Sequence, residues 1–210
     1  MHARRAGAAL AAIGIAASLW AAEPEEKKPE APKSSPETEK LNYFAAPWTS
    51  EGNMKPGPNG PGGPTQGREM CRWMPGKFFL GCMMESKDPS GTVMQVQGML
   101  GWDAEKKVYR MWTFDNSGRF EIATGTLKDD TWTFLGESHL GDKTVQTRLV
   151  FSDTKPEAYG VSYETSPDGK SWTTAWSGKY TKLAPRPGLT PGARPPIVMA
   201  PGPTRTPAPN

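Results

Sequence analysis

The sequence has only two cysteines and two histidines in 210 residues, and that scarcity removes whole classes of chemistry. A structural zinc site draws three or four ligands from Cys and His, and beyond the first few residues His139 is the sole histidine. Excess charge of one sign is missing too. Residues 41–183 carry 16 Lys and Arg against 16 Asp and Glu, so they offer no cationic surface of the kind that binds phosphate backbones, and a nucleic-acid partner is excluded. No phosphate loop occurs: the Gly-rich stretch 52–67 is interrupted by proline and lacks a Lys-Ser/Thr ending. Ser138 and His139 are neighbours, but no Gly-x-Ser-x-Gly turn presents a nucleophile. No apolar run reaches the roughly 18 residues of a spanning helix, and neither heptads nor a collagen period is present.

Proline and glycine are abundant, 22 and 23, and unevenly placed. Residues 184–210 hold nine prolines and read as a disordered, extended tail of polyproline II character. Residues 23–40 are rich in Pro, Glu and Lys and read as a disordered, solvated spacer. Six Gly and four Pro between 52 and 67 predict a long loop there. Residues 1–22 have the layout of a secretory signal peptide: Arg4-Arg5, an apolar stretch from Ala6 to Trp20, then Ala21-Ala22 before Glu23. Cleavage after Ala22 competes with cleavage after Ser18. The expectation is an exported chain, periplasmic or secreted and not membrane-spanning, with one folded domain over 41–183.

Export changes how the cysteines read. Met74-Pro75-Gly76-Lys77 is a turn signal, and a hairpin register in which partner numbers sum to 153 sets Cys71 opposite Cys82. An even count in an oxidising compartment favours a disulfide over two buried thiols, and a metal pair lacks further ligands nearby.

The rest of 41–183 reads as about ten strands, rich in Val, Thr, Tyr, Trp and Phe and separated by short turn clusters. No amphipathic helix stands out. The fold class expected is all-β, an antiparallel up-and-down β-barrel or a sandwich, with barrel closure favoured because it removes edges. Alternation places Met94, Val96, Leu100 and Trp102 on one face of their strand, and Tyr159, Val161 and Tyr163 on one face of theirs. A four-residue turn at Asp115–Gly118 pairs Met111 with Ile122 and Thr113 with Phe120, which puts Tyr109, Met111, Phe120 and Ile122 inside. A three-residue turn at Lys128–Asp130 then points Trp132 and Phe134 inward. On this register nearly every carboxylate falls in a turn or outside, so none is set up as a general acid or base. Asp103, Asp115 and Asp168 read as turn formers.

Leu100-Gly101-Trp102-Asp103 followed by Tyr109, then Asp115-Asn116-Ser117-Gly118, then Ser166-Pro167-Asp168-Gly169-Lys170-Ser171-Trp172 resemble the pattern of an uncharacterised bacterial family, domain of unknown function 1579. Phe44-Ala45-Ala46-Pro47-Trp48-Thr49-Ser50-Glu51-Gly52 is similar to its first strand, with Pro47 where a small residue is expected. The resemblance spans roughly 41–183 and implies a calycin-like, lipocalin-type barrel without an established activity.

Seven Trp and eight Met between 41 and 183 either line an apolar cavity or fill the barrel solid. The first case makes the chain a non-catalytic binder of a small apolar ligand, with Met94, Tyr109, Met111, Trp132 and Tyr163 lining the site and no cofactor or metal. A second reading gives the tail, through Arg186, Arg194 and Arg205, an envelope protein partner. A third is an enzyme at the barrel mouth. His139, in an expected loop, is poorly placed to ligate a haem.

Overall fold

The computed structural model describes residues 33–57 and 62–184. The expected leader, most of the spacer and the Arg-bearing tail lie outside these residues. Ten strands follow one another: β1 (Pro47–Met54), β2 (Gly63–Trp73), β3 (Phe79–Lys87), β4 (Val93–Asp103), β5 (Val108–Asp115), β6 (Phe120–Lys128), β7 (Thr131–Leu140), β8 (Lys143–Lys155), β9 (Ala158–Ser166) and β10 (Thr173–Lys182). Each pairs antiparallel with the next, and β1 pairs with β10, so the sheet is a closed barrel. Closure gives every strand two partners and leaves no edge. The stretch expected to be one long loop from Gly52 instead carries the end of β1 and the start of β2. None of the described helices is long and apolar enough to cross a membrane.

A short helix precedes the barrel where a spacer was expected. Ser35 caps α1 (Pro36–Lys40) by accepting from the Thr38 N–H at 3.2 Å, and Pro36 opens the helix where no N–H is required. A 3-10 turn over Leu41–Phe44 follows and carries Leu41 and Phe44 into the barrel end, both buried. Phe44 meets Trp132 and Phe151 with ring centroids 5.3 and 5.2 Å away. Polar tips fasten this plug. Trp48 Nε1 donates to the Phe44 carbonyl at 3.2 Å, Trp73 Nε1 to Asn42 Oδ1 at 2.7 Å, and the Tyr109 hydroxyl to the Glu37 carbonyl at 3.1 Å. A helix this short gains its stability from such packing and not from propensity.

The Cys71–Cys82 bond joins β2 to β3, in the register whose partner numbers sum to 153. The register between β5 and β6 differs from expectation. Asp115 and Arg119 close a three-residue loop, the Asp115 N–H donating to the Arg119 carbonyl at 2.9 Å, and Gly118 takes φ +85°. Trp112 therefore pairs with Ile122 and Phe114 with Phe120. Phe120 and Ile122 stand outside, 41% and 46% exposed, and Glu121 turns inward. A glycine in the left-handed region after a type I turn shortens the loop by one residue, and one residue flips a whole strand.

Candidate functional site

The barrel interior divides into two halves of different character. Towards the plug it is dry and aromatic: Trp48, Leu80, Phe134 and Tyr159 are fully buried among Tyr109, Met111 and Trp132. Towards the other end, where β1, β3, β5, β7 and β9 finish, inward-pointing Met84, Met94, Val96, Thr113, Tyr163 and Trp176 keep partial exposure. Their partial exposure makes this the more open half of the interior.

Polar groups gather in this second half. Glu121 on β6 pairs across strands with Thr113 and Ser138 and is only 6% exposed. Its Oε2 accepts the Tyr163 hydroxyl at 2.8 Å, while Oε1 has no partner among the described residues. Thr147, 1% exposed, stands near enough to the carboxyl for its hydroxyl to act on it, though its Oγ1 makes no fully formed hydrogen bond among the described residues. Burial pushes the Glu121 carboxyl up, against the downward pull of Tyr163, Thr147 and Arg119. Burial raises the Tyr163 phenol as well, and the neighbouring Glu121 charge adds to it. Nearby, Trp176 Nε1 donates to Thr65 Oγ1 at 2.7 Å, which lays the indole over Gly52 and Gly178. A Cβ at Gly52 would come within 2.3 Å of that ring, so only glycine admits it there.

Glu69 is a second inward carboxylate, on β2. It keeps some accessible surface, but its carboxyl is hemmed in by Tyr159, Tyr180 and the disulfide. Burial pushes it up to about 7, and the Tyr159 hydroxyl, 3.5 Å from Oε2, opposes the shift. Cys71 Sγ touches Oε1 at 3.6 Å; bonded to Cys82, it has no hydrogen to donate. Glu69, Cys71 and Cys82 cluster closely enough to share a metal ion, yet both sulfurs are committed to each other and offer no thiolate. The expectation that carboxylates lie in turns or outside thus fails at Glu69 and Glu121.

It holds for the turn aspartates. Asp168 Oδ1 accepts from the N–H groups of Lys170 and Ser171, both at 2.8 Å, which draws its carboxyl down to about 2. Asp103 and Asp115 accept from backbone N–H groups in the same way.

The five residues expected to line a ligand site do not form one group. Tyr109 and Trp132 pack against each other at 4.6 Å under the plug, and Met111 is buried with them. Met94 and Tyr163 belong to the accessible half. Glu121, Thr147, Ser138 and Trp176 complete that half, and the position of Gly118 in its loop was the signal that could have found Glu121. His139 points outward, stacked on Phe120 at 4.6 Å with Nδ1 3.0 Å from Thr144 Oγ1. Two open grooves on the outside, about 270 Å³ beside Asp153 and Lys179 and about 440 Å³ beside Tyr43 and Pro156, lie near the plug and away from this polar cluster.

No curated protein matches the sequence. Among solved structures, that of Rv2717c from M. tuberculosis superposes with a TM-score of 0.56 at 13% identity, over 71% of this chain and 99% of that one, a likeness of fold. A de novo designed fluorescence-activating β-barrel aligns at 11% identity and a TM-score of 0.39, over 68% of this chain and 96% of that one. The family model described as "Protein of unknown function (DUF1579)" matches residues 33–182. With the whole closed barrel and its plug inside that match, the chain belongs to this family.

Proposed function

We propose that the protein is an exported carrier or sensor that holds, without transforming, a small apolar molecule in the accessible half of the barrel. One observation carries the reading: among the described residues Glu121 Oε1 and Thr147 Oγ1 are buried near each other, close enough for the hydroxyl to draw the carboxyl down, yet neither atom makes a fully formed hydrogen bond. An unmet buried polar atom costs about 1–3 kcal/mol, so the pair favours a guest that supplies a hydroxyl or amine hydrogen to Glu121. Met84, Met94, Val96 and Trp176 are placed to cover its apolar body. Export rests on the signal-like residues 1–22 and is in keeping with the disulfide.

The test compares octan-1-ol with methyl octyl ether by calorimetry and tryptophan fluorescence on the full chain. The alcohol should bind at least tenfold tighter than the ether, and Glu121→Ala should erase that preference. Equal affinity for the two would remove Glu121 from the reading, and no uptake of either would remove the ligand site. A second reading has the raised Glu121 carboxyl in its favour: general acid or base chemistry at the same place. Conversion of a bound small molecule, lost in Glu121→Gln, would select it over simple retention.

A further inference from the structure

Outward positions on a barrel in water are expected to be polar, and in the middle of β3–β6 several neighbouring ones are not. Met99, Trp112 and Ile122 are cross-strand partners in one row, and Phe114 and Phe120 in the next. Phe79 packs edge-on to Trp112 at 6.4 Å, and Met83 borders Phe114 through Gln97. Met83 is 65% and Phe114 53% exposed. No charged residue lies in either row between β3 and β6; Arg110, Glu137 and Glu85 stand around them.

We propose that this face is the contact surface between two copies of the chain. Six exposed side chains and the half-buried Trp112, at about 200 Å² each, present on the order of 600 Å² of apolar surface. That stands at the upper end of the roughly 300–600 Å² of the largest patch on a monomer, and with its polar rim it reaches towards the roughly 800 Å² per partner of a stable interface. An apolar centre with a polar rim is the anatomy of such interfaces. The relief suits a two-fold axis, which needs knob and hollow on the same patch. Met83 protrudes, while Gly81 two residues away has no side chain, and a Cβ there would already be in ordinary contact with Met74 at 3.8 Å, so each Met83 can lie against the other copy's Gly81. A lipid surface would call for a basic excess around the patch; the rim mixes Arg72 and Arg110 with Glu85 and Glu137. With every strand edge paired, the copies meet face to face and not by strand addition.

Sedimentation velocity on the full chain between about 1 and 100 µM tests this. The wild type should sediment as a dimer, and Phe114→Glu and Ile122→Lys should each weaken association at least a hundredfold while keeping wild-type circular dichroism. Lys179→Glu, on another part of the outer surface, should remain dimeric. A wild type that is monomeric at 100 µM overturns the proposal, whether or not it then adsorbs to anionic phospholipid vesicles. Persistent dimers in the two patch variants, or dissociation by Lys179→Glu, overturn the assigned face.

Discussion

Tyr163 on β9 and Glu121 on β6 join across the barrel interior, the phenol donating to Oε2 at 2.8 Å. Neither strand is hydrogen-bonded to the other, so this contact ties together parts of the wall that are not neighbours. Removing the hydroxyl with Tyr163→Phe would leave the Glu121 carboxyl buried with neither oxygen met. A loss of about 1–3 kcal/mol is expected in urea unfolding. Adding Glu121→Leu, which removes the stranded acceptor, should recover part of that loss in a double-mutant cycle. Strictly additive effects would mean that the two side chains do not share their energy.

Glu69 makes stability depend on pH. Its folded pKa of about 7 lies above the ordinary carboxylate value of 4.5, so between these values the folded state binds the extra proton. Its favourable contribution is complete below about pH 4.5 and is lost as pH rises through 7. At roughly 1.4 kcal/mol per unit the loss amounts to about 3 kcal/mol. Glu69→Gln should flatten this part of the profile and leave the variant more stable than wild type at pH 8. Parallel stability–pH curves for the two proteins would show that the carboxyl is hydrated in the fold.

The disulfide closes a loop of sequence separation 11. Loop-closure entropy for such a span amounts to about 3 kcal/mol, so the Cys71→Ala, Cys82→Ala double variant should melt some 5–10 °C lower in calorimetry. The bond joins strands already paired along their length, and the barrel should therefore persist without it. Complete unfolding of the variant at 25 °C would assign the bond a larger share of the stability.

Much of the fold was legible because strand alternation and turn chemistry agree. The strand sequence, closure of the sheet and the partnership of Cys71 with Cys82 follow from period-2 patterning and from Pro75-Gly76. Register was harder. β5 and β6 are apolar on both faces, so Met111 against Ile122 looked as well matched as the true Trp112 against Ile122. Hydrophobic matching cannot choose between faces in such a pair, and the loop decides. The next loop is likewise one residue shorter than expected, which flips the facing a second time: Asp129 and Asp130 form a two-residue connection, with φ of 48° and 61°. The two errors cancelled, which is why Trp132 and Phe134 were placed inside correctly while Glu121 was missed. The plug escaped notice because Pro36–Phe44 is too short for a helical period to emerge, and its anchors, Leu41 and Phe44, follow a polar stretch that reads as solvated.

Since the first strand's neighbour is the last, nothing short of the complete domain can seal. A nascent chain ending anywhere before Thr173 would present two raw ladders of N–H and C=O groups, on β1 and on whichever strand came last. Such intermediates are sticky, and the domain must wait for its final ten residues before it is safe from its own kind.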